Sequence, residues 1–217
     1  MSRPAAEGGI AGADHPADPV RDAVTVPLAG GEVTVEPARA VVARLRSRGL
    51  VVAVADGDRA SGGGGPALAL ALDERSHLLA ADGALLGGQL VTAEGIELVA
   101  GDGRSRAAVT GLAVDLADGT VTALTGGGGT VVLGTFGRDG SLLVTPEGAV
   151  SLGGTVALST AGAGAVNSAV GRELFSAGEK LGRLAVRAEV VLDESVSGAL
   201  RVPPEAPPAA SGPGPLS

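Results

Sequence analysis

Asp82-Gly83, Asp102-Gly103, Asp118-Gly119 and Asp139-Gly140, four of the five Asp-Gly pairs in this 217-residue chain, punctuate its middle. Between them run short stretches of Val, Leu, Ala and Thr that alternate with period two. Glycine accepts the positive φ that tight hairpin turns demand, so each pair marks a reversal between strands. The intervals of 20, 16 and 21 residues match about two strands each. Extending the same reading predicts strands near 23–28, 32–36, 50–55, 67–73, 84–91, 95–100, 106–116, 119–125, 129–135, 141–145, 153–158 and 183–192. The expectation is a mostly β domain, an antiparallel two-layer sandwich with two short amphipathic helices.

The helices are the places where the period changes. In Pro37–Arg48, Ala38, Val41, Val42 and Leu45 recur at helical spacing, Pro37 suits a first turn and Gly49 suits the C-terminal cap. In Ala161–Phe175 the stripe is Ala163, Val166, Val170 and Leu174, with Ser159 or Thr160 as N-cap and internal glycines that weaken it. Similar approaches, Gly30-Gly31-Glu32-Val33-Thr34-Val35 and Gly153-Gly154-Thr155-Val156-Ala157-Leu158, lead into the two helices at a constant offset of 123 residues. Small-residue sequences produce such matches cheaply, and chance is the favoured explanation over an internal repeat.

Residues 1–21 lack periodicity and read as a disordered leader, while 203–217 carry six of the 13 prolines and read as a Pro-rich disordered tail. The β-rich domain is then 22–202. The uncharged stretch 148–171 holds six glycines with Ser, Thr and Asn, too little apolar bulk for a transmembrane segment. The N-terminal MSRPAAEGGIAGADHP has no apolar h-region, so the expectation is that a secretory signal is either absent or has been removed, and a cytoplasmic setting stays open.

Composition excludes most chemistries. There is no Cys, Tyr or Trp, and Phe136 and Phe175 are the only aromatics. Thiolate nucleophiles, disulfides and Cys-based metal sites are ruled out, and aromatic platforms for sugars or single-stranded nucleic acid cannot be built. A net charge of -8 opposes nucleic-acid binding. His15 and His77 are the only imidazoles, and His15 lies in the leader. Ser76, His77 and Asp73 can be collected into a hydrolytic set, but Ser76 and His77 are adjacent and no nucleophile elbow is present, so an exposed turn histidine is the better reading. Asp73, Asp115 and Asp118 could serve a carboxylate hydrolase only if two converged in one cleft. Asp56-Gly57-Asp58 beside Arg59 is short of cation ligands and reads as a solvated loop. The stretch 156–171 resembles a dinucleotide finger, but Asn167 replaces the third glycine and Glu189 falls on the last strand. Arg39, Arg44, Arg46 and Arg48 read as a solvated helix face. No catalytic, cofactor-binding or metal residues are therefore assigned, and no cofactor is expected.

Glu94-Gly95-Ile96-Glu97-Leu98, Val114-Asp115-Leu116, Gly119-Thr120-Val121-Thr122-Ala123 and the late Val156-Ala157-Leu158 before an Asn-containing helix together resemble actinobacterial extracellular all-β domains of the HtaA type. The resemblance implies that fold, a surface location and a haem association; the family's haem sites use tyrosine and histidine, and no axial residue carries over to this tyrosine-free chain. The expected role is a non-enzymatic structural or interaction module with an unknown protein or cell-envelope partner, a homo-oligomer being an open alternative. The alternatives are a binder of a small apolar ligand, haem-like or lipid-like, and, further off, the carboxylate hydrolase.

Overall fold

The computed structural model describes residues 23–55, 67–126 and 128–202. The leader, the tail, His15 and the Asp56–Asp58 loop lie outside them. Twelve strands and three helices follow in chain order: β1 (Val24–Pro37), α1 (Arg39–Ser47), β2 (Leu50–Ala55), β3 (Leu68–Ala71), β4 (His77–Ala81), β5 (Ala84–Val91), β6 (Gly95–Ala100) and β7 (Ser105–Asp115). Then come β8 (Thr120–Thr125), β9 (Thr130–Arg138), β10 (Leu143–Val144), β11 (Ala149–Leu158), α2 (Thr160–Val170), β12 (Lys180–Val190) and α3 (Glu194–Leu200).

The antiparallel sandwich is present, and its layers share strands. β7 pairs on one edge with β6 and then β5, and on the other with β8. The order β7-β5-β4-β1-β12-β11-β9-β8 therefore returns to β7, and the sheet closes on itself. These four Asp-Gly pairs fall between consecutive strands, and Gly83, Gly103, Gly119 and Gly140 all have positive φ. The 16-residue interval holds one strand instead of two, because β7 runs 11 residues to serve both β6 and β5 as partners. The two strands expected at 23–28 and 32–36 are one 14-residue strand, with a register shift between Leu28 and Gly30. Past that shift β1 exchanges β4 for β3 as its neighbour.

The apolar run at 67–72 would template aggregation as an open edge. β3 instead pairs with β1, and its other edge is occupied at Ala71, whose N-H donates to Glu94 Oε2 at 2.6 Å and whose carbonyl accepts from Ala93 N at 2.9 Å.

β1 and β11 flank β12 and both run antiparallel to it, so they are parallel to each other and feed α1 and α2 at the same end of the sheet. The matching approaches are thus neighbours in space. They are not in the matching register: β12 places Val33 level with Leu152, through Val186, and not with Val156. β12 leaves at the opposite end into α3, whose Val196, Ala199 and Leu200 are buried in the main core. Asp193 caps α3 by accepting from Val196 N at 2.7 Å.

Both expected helices form, with shifted ends. Pro37 closes β1, and α1 begins after Ala38 without a side-chain cap; Gly49 at φ +68 follows its end as expected. α2 is N-capped by Ser159, which accepts from Gly162 N at 2.9 Å, and stops at the left-handed Gly171, so Leu174 and Phe175 belong to the turn beyond it. Gly162 is a packing requirement: a Cβ there would run into the Leu133 carbonyl of β9.

Candidate functional site

Two separate apolar clusters fill the molecule. The larger, inside the closed sheet, includes Val33, Leu90, Val114, Leu133, Phe136, Leu184 and Val186 together with the α3 residues. The smaller lies under the two helices that share one end: Val41 and Leu45 of α1, Leu50, Leu98 and Leu174, with Val166 and Phe175 packed against them. Between the two clusters is a cavity of about 190 Å³, walled by residues of both.

The wall is almost wholly hydrocarbon. Val33, Val35, Val109, Val156, Leu184 and Val186 face it from the sheet, and Val41, Leu45, Val52, Val166 and Phe175 from the cap. Both phenylalanines of the chain border it. The ring of Phe136 sits where Gly154 leaves room: a Cβ at Gly154 would lie 2.6 Å from Phe136 Cζ. The wall residue Thr92 is 5% exposed, and its hydroxyl is already committed, donating to the Glu94 carbonyl at 2.7 Å. Arg183 borders the cavity, but its 61% exposed side chain reaches outward to Asp139 Oδ2 at 3.1 Å. Among the described residues no buried side-chain polar atom lacks a partner. Such a space does no acid-base chemistry. Its lining favours apolar matter over water.

The cap over the cavity is tied down by polar contacts. Asn167, the departure from the dinucleotide pattern, clamps the turn after α2: its Oδ1 accepts from Leu174 N at 2.8 Å and Phe175 N at 3.0 Å, and its Nδ2 donates to Phe175 O at 2.8 Å. Arg44 of α1 joins the same turn. Its Nη1 donates to Leu174 O at 2.7 Å and to both Glu179 oxygens at 2.6 and 2.8 Å, while its guanidinium carbon lies 5.9 Å from the centroid of the Phe175 ring. The hydrogen bond from Arg44 holds the Glu179 carboxyl below the usual carboxylate range. Sequence reasoning saw Arg44 only as one of four arginines, and Asn167 only as a missing glycine. A lone Asn within an apolar helical stripe was the available signal.

The other candidates are dispersed. Ser76 is 1% exposed and exchanges hydrogen bonds with the Val91 backbone, its hydroxyl donating to Val91 O at 3.1 Å and accepting from Val91 N at 2.9 Å. It staples β5 and makes no bond to His77. His77 is not an exposed turn residue but the half-buried first residue of β4, with Nδ1 3.1 Å from the Arg75 carbonyl; the pairing of β4 with both β1 and β5 covers it. Asp73 is held by Arg75 at 2.7 Å, which lowers its pKa. Asp115 and Asp118 accept from the backbone N-H groups of Ala117 and Thr120 within one hairpin turn, and Asp118 is lowered by its bonds to Thr120. None of the three borders the cavity. Arg39, Arg46 and Arg48 are exposed, and Glu189 faces outward from β12. Among the described residues no group of three or more His, Asp or Glu side chains is placed to hold a metal, and no helix is long and apolar enough to cross a membrane.

The haem implied by the resemblance does not fit this wall. It contains no tyrosine, histidine or methionine, so no cavity residue can ligate iron.

No family model matches the chain, and no curated protein matches it in sequence. Solved structures do match in shape. The N-terminal domain of HtaA from Corynebacterium glutamicum superposes with a TM-score of 0.55 at 12% identity, covering 76% of this chain and 99% of that one. The C-terminal domain of the same protein gives 0.52 at 13% identity, with the same coverage. The chain therefore has the fold of the HtaA domains, resembling them distantly, as its turn and strand residues imply.

Proposed function

We propose that this domain is a non-enzymatic binding module that takes a small apolar molecule, or the apolar part of one, into the cavity between the closed sheet and its helical cap. The observation that supports it is the wall: both aromatic residues of the chain and a lining of Val and Leu surround a space with no free polar group. A plain structural or interaction module needs no such space. The volume of about 190 Å³ falls below the roughly 300–1,000 Å³ of sites for drug-sized ligands. It is close to the roughly 150 Å³ apolar cavities that stay dry and bind benzene or xenon. The ligand class is a benzene-sized hydrocarbon or a short acyl chain.

The test is titration with toluene, followed by thermal unfolding and by the methyl NMR signals of the Val and Leu wall. Toluene at a hundred times its dissociation constant should add about 2.7 kcal/mol of stability and shift the wall methyls selectively. Absence of both effects would overturn the reading.

A further inference from the structure

The cavity accepts hydrocarbon only, so any polar end of a bound molecule must rest at its edge. Two cations stand near that edge: Arg183, which borders the cavity but is turned outward to Asp139, and Arg44, which lies beside the wall on the cap. Arg44 sits on α1 between Val41 and Leu45, both wall residues, and over the ring of Phe175, a third. Its hydrogen bonds to the described residues all leave from Nη1, so the Nε and Nη2 edge of the fork makes none among them. The side chain is 36% exposed, within reach of a solute. α1 and its cap residue carry Arg39, Arg44, Arg46 and Arg48 and no acid, a local positive field in a chain of net charge -8.

We propose that the ligand is an anionic amphiphile, a short acyl chain ending in a carboxylate: the chain lies in the cavity against Phe175, and the carboxylate is received by Arg44 in competition with Glu179. This rests on the cavity reading above. A guanidinium fork suits a carboxylate because two parallel N-H donors match its two oxygens. Glu179 occupies one corner of that fork and acts as the built-in competitor, keeping the cap latched when no ligand carboxylate is present. The ligand enters between α1 and the turn, the junction that Arg44 spans; α3 fills the opposite end of the sheet.

The experiment compares octanoate, octan-1-ol and toluene by calorimetry on the full chain. Arg44→Gln should weaken octanoate about tenfold more than it weakens octanol and toluene, the scale of one partly exposed charge-assisted hydrogen bond. Arg44→Lys should recover part of the loss. Glu179→Gln, which removes the competitor, should strengthen octanoate and shift octanol little; it keeps the test alive should Arg44→Gln fail to fold. Equal weakening of all three ligands in Arg44→Gln would reduce Arg44 to a clasp for the cap and overturn the proposal. Octanoate binding that ignores both variants would do the same. Failure of toluene and octanol to bind the unaltered protein would instead overturn the cavity reading itself, and the carboxylate site with it.

Discussion

The two ends of the closed sheet solve the same problem differently. At one end α3 inserts Val196, Ala199 and Leu200 directly into the main core, so that helix and sheet form a single cluster. At the other, α1 and the turn after α2 form a cluster of their own, separated from the sheet by the cavity and held by Arg44, Glu179 and Asn167. Both ends use the same small aliphatic residues. The difference is therefore one of reach: α3 is a short plug, whereas α1 spans the mouth and rests its apolar face on β2 and β6 instead of on the interior. One end is built for stability and the other retains space.

Substitutions should separate the ends. Leu200→Ala at the packed end removes a buried side chain with nothing to collapse into the gap, and should cost about 3 kcal/mol in denaturant unfolding. Asn167→Ala strips the cap turn of three hydrogen bonds at once. It should cost about 2 kcal/mol and speed amide exchange at Leu174 and Phe175 while α3 stays protected. Adding bulk should then give opposite signs at the two ends. Val156→Leu extends into the cavity and should gain about 0.8 kcal/mol for one buried methylene while weakening toluene. Ala199→Val, in the filled end, should lose about 1 kcal/mol or more through overpacking. Equal signs would erase the distinction between a packed and an open end.

The smallest effect is the cap's own share of the acid sensitivity. Because the folded pKa of Glu179 lies below its unfolded value, its contribution is complete above the ordinary carboxylate range and is lost as pH falls through the depressed value. The unfolding free energy should therefore decline between about pH 5 and pH 3, and Glu179→Gln should flatten that decline. An unchanged slope in Glu179→Gln would show that the latch does not titrate with folding.

Local rules carried far in this chain. Asp-Gly pairs located four turns because Gly at positive φ is a local requirement, and α1 was visible in Val41 and Leu45 because its buried stripe is sequential. β4 was missed because Leu78-Leu79-Ala80-Ala81 is a short apolar run without alternation: Leu78 and Ala80 are buried on one face, while Leu79 is half-buried and Ala81 buried on the other. α3 was missed although its cap was present: Asp193 followed by Val196, Ala199 and Leu200 at helical spacing is a short helix signature. The cavity had no signal at all. Its walls are residues as distant as Val33, Phe136 and Leu184, and an empty space between them is a property of volumes summed over the fold, not of any segment. The latch was equally hidden, since Arg44 and Glu179 stand 135 residues apart.

β12 has a further consequence, for synthesis. Among the described residues it is the last strand, yet it pairs along nearly its whole length with the first of them, Val33 opposite Val186, and with β11 on its other edge. The ring cannot close while residues 180–190 remain inside the ribosome. Until then β1 and β11 each present a long ladder of unpaired amides, and the nascent chain can form only an open sheet with two bare edges, of high contact order, slow to mature and prone to pair with its neighbours. A chain ended before Lys180 would stay in that state.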